Sequence, residues 1–222
     1  MANQLEGLPE ARRWNLLVDA AKAGAEAHGF KLTRIPGRGL SNIWLAEKDG
    51  VPQVASIRTT RDRWLAFPPL EGGTKWKTLD DVELVIVASV DNKDAPKNIE
   101  VYVLSADDVR QRFNAAYAAR KKAGHTQKDN FGMWVGLDVD QRKIAASVGS
   151  GLVEKHKPIV VYSIEDLLGD LGYTALEDQE PGEESVPAPR TIAEVMDWAR
   201  EQVAQIAGVR IESVKLDLKL EY

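Results

Sequence analysis

The sequence predicts a mixed α/β fold, and three segments carry that prediction. Residues 9–29 repeat apolar side chains at helical spacing. Residues 82–90 (VELVIVASV) are nearly all apolar and β-branched, the pattern of a strand buried on both faces. Residues 99–104 (IEVYVL) run straight into an amphipathic segment ending at Gly124, a strand leading into a helix.

Taken in order, the first element is a helix. Pro9 suits its first turn and Gly29 the position just past its end. Trp14, Leu17, Val18, Ala21 and Ala25 repeat on one face and are placed in the core. His28 falls in the last turn, where a cation complements the helix dipole, so it reads as a capping or surface residue. Residues 30–35 alternate as a strand, and Pro36-Gly37-Arg38-Gly39 makes a turn. Residues 43–46 and 51–59 flank Lys48-Asp49-Gly50, a strong hairpin signal, with Val54 and Ile57 turned inward. A short strand follows at 64–67, ended by Pro68-Pro69, and 70–80 reads as a loop carrying Trp76. After the buried strand, 91–98 is a polar turn. Ser105 looks like an N-cap, with Asp108 three residues on, and Val109, Phe113, Ala116 and Tyr117 share one helix face. Further strands are expected at 133–137 and 158–162, a turn at Gly149-Ser150-Gly151, and a short helix over 164–171 capped by Ser163.

The chain then changes character. Residues 178–189 (DQEPGEESVPAP) hold four acids, no bases and three prolines, a linker composition. Thr191 and Glu194 open a helix whose stripe is Ile192, Val195, Met196, Ala199, Val203 and Ile206. Val214, Leu216, Leu218 and Leu220 then alternate as a half-buried strand. The organisation expected is a domain over 1–177, a linker over 178–190 and a helix–strand unit over 191–222. One helix and one strand cannot bury a core alone. The unit must dock on the main domain, on a second copy or on a protein partner.

Composition narrows the chemistry. The 222 residues carry 29 bases and 34 acids, a net charge of −5. Residues 1–177 hold 24 of each, so the excess acid lies beyond them. There is no cysteine, which removes disulfides, thiolate zinc sites and cysteine nucleophiles. Only His28, His125 and His156 are present, and no G-x-S-x-G elbow occurs. Gly149-Ser150-Gly151 lacks the spacing of a phosphate loop. Asp80-Asp81 and Asp107-Asp108 open elements, where carboxylates complement a helix N-terminus. No apolar run reaches 18 residues and the N-terminus has no apolar h-region, so no membrane span is expected and a cytoplasmic location is.

Residues 39–67 (GLSNIWLAEKDGVPQVASIRTTRDRWLAF) carry the most specific pattern. A polar residue opens a strand, a hairpin follows, and the returning strand bears Ser56-Ile57-Arg58. With the preceding helix, the buried strand, and the strand and helix after it, residues 9–123 resemble the PD-(D/E)XK nuclease-like family. The resemblance implies a nuclease-like core, a central mixed sheet flanked by helices. In that family an aspartate opens the second core strand and an (E/Q)-x-K triplet lies on the third. The carboxylates hold Mg²⁺ and the lysine serves the attacking water. Here Asn42 stands at the aspartate position, Ser56 at the Glu/Gln position and Arg58 at the lysine position. Asn and Ser are weak ligands for Mg²⁺, and arginine keeps its proton. On the resemblance this is a degenerate site. On the residues alone, Ser56 and Arg58 are polar side chains of a strand's solvent face.

Two basic groups are candidates for phosphate contact. Arg58, Arg61 and Arg63 adjoin Trp64, a ring suited to stacking on a base. Arg110, Arg112, Arg120, Lys121, Lys122 and Lys128 surround the second long helix, where bases near its end also complement the dipole. Trp14 and Trp198 read as core. Trp44, Trp64, Trp76 and Trp134 read as groove or interface residues. The leading expectation is a non-catalytic nuclease-fold protein that binds nucleic acid, with no metal and no cofactor. The family association adds a bacterial-type nucleic-acid-handling or defence setting. The alternative is a protein-interaction subunit assembling through 191–222. A third reading is an active Mg²⁺ nuclease using other acids, such as Glu26, Asp49 or Asp62.

Overall fold

The computed structural model describes residues 5, 7–35, 43–170 and 215. The chain divides into two units, Met1–Thr174 and Ala175–Tyr222. Asn42, the turn at 36–39, the linker and the helix–strand unit with its docking role and Trp198 lie outside the described residues, Lys215 apart.

The first unit is a mixed α/β fold. Helix α1 (Glu10–Ala27) is followed by β1 (Lys31–Arg34), β2 (Ile43–Lys48), β3 (Val51–Thr60) and β4 (Trp64–Phe67). A small hairpin comes next, β5 (Pro69–Leu70) and β6 (Lys75–Trp76), then β7 (Leu84–Val90) and β8 (Asn98–Ser105). Helix α2 (Ala106–Lys122), β9 (Met133–Gly136), β10 (Val160–Ser163) and α3 (Ile164–Asp170) complete it. Six strands form one sheet in the order β1-β2-β3-β7-β8-β10. Only β3 and β7 run parallel; the other neighbours are antiparallel. Strands β4 and β9 form a separate two-stranded ribbon.

Local signals account for the elements. Asp49 (φ 53°) and Gly50 (φ 76°) both take the left-handed conformation, which a two-residue hairpin between twisted strands requires. Ser105 caps α2 by accepting the Asp107 N–H, leaving a basic last turn of Arg120, Lys121 and Lys122. Strand β7, the predicted central strand, is buried over its last six residues.

The alternation of β7 divides the core. Ile86, Ala88 and Val90 face α1, with Leu16, Leu17, Ala20, Ala21, Ala55 and Ile57. Val85 and Val87 face α2, with Phe67, Trp76, Leu104, Val109 and Phe113. Gly24 lies in mid-helix, where glycine costs about 1 kcal/mol against alanine. A Cβ there would come within 2.7 Å of Val160, so the glycine permits the close approach of α1 to the sheet.

Two tryptophans exchange their expected places. The buried stripe of α1 also runs through Leu16, Ala20 and Gly24, and this rotates its centre away from Trp14, which is 47% exposed. Trp76 leaves the expected loop for the core. It packs edge-on against Phe113 and Tyr117, and its indole N–H donates to Asn114 Oδ1 at 2.8 Å, which satisfies the one polar atom of the ring. Gly73 makes room for this cluster, because a Cβ there would strike the Tyr117 ring.

Candidate functional site

The turn from β3 to β4 organises one end of the sheet. Thr60 Oγ1 donates to Asp62 Oδ1 at 2.7 Å, and both oxygens accept from the Trp64 N–H. Arg63 takes a left-handed backbone conformation (φ 62°), which aims its side chain back over the sheet. Its guanidinium forks onto Asp138 at 2.7 and 2.8 Å, and also donates to Glu100 Oε2 and the Val90 carbonyl. The Arg63 carbonyl accepts from the Leu137 N–H. Arg63 therefore joins the β4–β9 ribbon to β7 and β8 with almost its full donor set. The Asp138 hydrogen bonds hold its pKa above the ordinary arginine value, with Glu100 adding to them. Tyr102 completes the network by donating to Glu100. Burial first, and that hydrogen bond second, push its phenol up to about 12.

Beside this network opens a cleft of about 630 Å³, a size common for ligand sites. Arg13 of α1, Arg58 of β3, Arg61 and Lys93 line it, against two acids, Asp62 and Asp94. Asp62 is already engaged by the turn. Trp64 and Trp134 form part of the wall. The Nε atoms of Arg13 and Arg58 are buried and find no hydrogen-bond partner among the described residues. Arg58 lies over the Phe67 ring, its guanidinium carbon 4.6 Å from the centroid. Burial pulls its pKa below the ordinary arginine value. A desolvated donor left unmade costs about 1–3 kcal/mol, and the guanidiniums of both arginines line the cleft, so an anion entering it meets their charge.

No family model, curated protein or solved structure matches the chain. The cleft is therefore read from its own residues.

The expected site residues separate into three kinds. Ser56 is fully buried on β3, and its hydroxyl has no partner among the described residues. It is not on a solvent face, because the β4–β9 ribbon and Phe67 cover that side of the sheet. Arg58 lies two residues further along the same face and reaches the cleft. Among the described residues, no group of three acidic or histidine side chains could hold a metal ion. Asp49 and Asp62 sit beyond opposite ends of β3, whose ten residues span about 33 Å, so they cannot share a site.

The second basic group is dispersed by its own contacts. Arg110 pairs with Asp80 and Asp107 and donates to the Leu79 carbonyl, tying the loop before β7 to α2. Arg112 donates to the Ser150 carbonyl. Arg120 donates to the Trp134 carbonyl at 2.7 Å, and burial lowers its pKa. It thus fastens the ribbon next to the cleft rather than offering its charge to solvent. Lys121, Lys122 and Lys128 are exposed. The sequence reading missed Arg13 and Lys93. Arg13 neighbours the apolar stripe of α1, and Lys93 lies in a polar turn, so neither position sets its base apart from any other surface charge.

Proposed function

We propose that the protein binds nucleic acid, without cleaving it, in the cleft lined by Arg13, Arg58, Arg61 and Lys93. The observation that carries this reading is the pair of buried, unpartnered Nε donors of Arg13 and Arg58 in one basic cleft. Buried polar groups in folded proteins nearly always find partners, and these two differ from the buried Ser56 hydroxyl in belonging to cations that line a cleft. Phosphate oxygens supply the acceptors that two guanidiniums need. The non-catalytic part of the reading is supported by the chemistry of two residues. Ser56 is sealed from the cleft, and Arg58 keeps its proton under working conditions.

Binding is tested by fluorescence anisotropy with labelled DNA, single-stranded and duplex. Three or four phosphate contacts should weaken affinity by on the order of tenfold to a hundredfold between about 50 and 200 mM salt. Arg13→Gln with Arg58→Gln should weaken it by about tenfold or more through the loss of two charge-assisted contacts. A flat salt response, or binding indifferent to both substitutions, overturns the reading. Plasmid incubated with Mg²⁺ or Mn²⁺ should remain intact, and cleavage abolished by EDTA would overturn the non-catalytic part.

A further inference from the structure

The wall of the cleft has a feature that phosphate binding alone does not use. Residues of β4 and β9 alternate between the core and the outer face. Leu65, Phe67, Met133 and Val135 are buried, which turns Trp64, Ala66 and Trp134 outward; Gly136 shares their face but is buried beneath Trp64. The register pairs Trp64 with Gly136 and Ala66 with Trp134. Each indole therefore stands opposite a residue too small to cover it, and the two rings are diagonal neighbours on one face. Trp134 is 44% exposed, and Phe131, 65% exposed, stands edge-on to it with ring centroids 6.0 Å apart. Large apolar rings on a ribbon are normally packed away. Here two indoles sit at the rim of a basic cleft, Trp64 half-buried and Trp134 exposed.

We infer that the ligand is an unpaired strand, with bases stacked on Trp64 and Trp134 while phosphates reach Arg58 and Arg13. This rests on the nucleic-acid reading above and narrows it. In a duplex the base faces are already stacked on one another, so an exposed indole gains nothing from them. In a single strand every base presents a free π-face, and stacking is tolerant of sequence. The recessed position of Arg58, under the mouth of the cleft and over Phe67, also suits a flexible backbone that can bend inward. A stiff double helix keeps its phosphates on a convex surface.

The test compares a twelve-residue oligothymidylate with a duplex of the same length, using the full chain. The single strand should bind about tenfold or more tightly than the duplex and quench tryptophan fluorescence. Trp134→Ala should cost the single strand about tenfold, and Trp134→Phe should restore most of it. Trp134→Ala should cost the single strand more than it costs the duplex, so the preference for the strand should shrink. The exposure of Trp134 makes both variants compatible with folding, which circular dichroism checks. Equal or tighter duplex binding, or a Trp134→Ala variant that binds the strand normally, overturns the inference and leaves nucleic-acid binding standing. If neither form binds, the broader reading falls with it.

Discussion

Two arginines, five residues apart in the chain, show opposite uses of the same side chain. Arg63 donates to Asp138, Glu100 and the Val90 carbonyl and is 13% exposed. Arg58 has a buried Nε with no acceptor among the described residues and rests on an aromatic ring. The same contrast holds between regions. Around α2, Arg110, Arg112 and Arg120 all have protein acceptors; in the cleft, the buried Nε atoms of Arg13 and Arg58 have none among the described residues. A count of bases treats these groups alike. What separates the two groups is whether the fold has already supplied hydrogen-bond acceptors, carbonyl or carboxylate, for the guanidinium.

The comparison can be broken most forcefully at Arg63. Arg63→Met leaves Glu100 beneath the ribbon without its cation, and removing one partner of a buried pair costs about 3–5 kcal/mol. The exposure of Asp138, at 59%, places the expectation at the lower end. Urea unfolding measures it, and a loss below about 1 kcal/mol would show that the clamp holds nothing together. Arg58→Met is the sharper half of the pair. It removes an unsatisfied donor while keeping an apolar stem over Phe67, so stability should stay within about 1 kcal/mol or rise. A large loss there would mean that Arg58 has a structural partner after all. The smallest effect is expected at Lys121→Glu with Lys122→Glu, both exposed at the end of α2. Stability should change by no more than about 0.5 kcal/mol per site, and strand affinity should fall less than in the Arg13 and Arg58 variants. An equal fall would move the interface towards α2.

Much of the fold is legible in the sequence because its signals are local. The Asp49-Gly50 turn, the apolar run of β7 and the Ser105 cap each act within a few residues. The candidate site is legible only in part. Arg58, Arg61 and Trp64 stand close together in sequence, and the structure keeps them in one cleft. The acceptor that occupies Arg63 lies 75 residues away, and nothing near Arg63 announces it. The pairing of β4 with β9 is equally remote, so the outward face shared by Trp64 and Trp134 has no local signature. Trp14 and Trp76 were misplaced for a related reason. Periodicity locates a helix face but not its exact centre, and a short loop tryptophan with a reachable amide partner can be drawn inside.

The β4–β9 ribbon has a kinetic consequence. A two-stranded ribbon is marginal by itself, and this one joins segments about 70 residues apart. Loop closure of that length must precede any reward from pairing. The aromatic wall of the cleft is then among the last parts to form during folding and among the first to open in the native state. Amides of Ala66 and Trp134 should exchange with solvent deuterium well before those of β7, without the sheet coming apart. The ribbon thus combines a buried inner face, Leu65, Phe67, Met133 and Val135, with an outer face expected to breathe more often than the sheet beneath it.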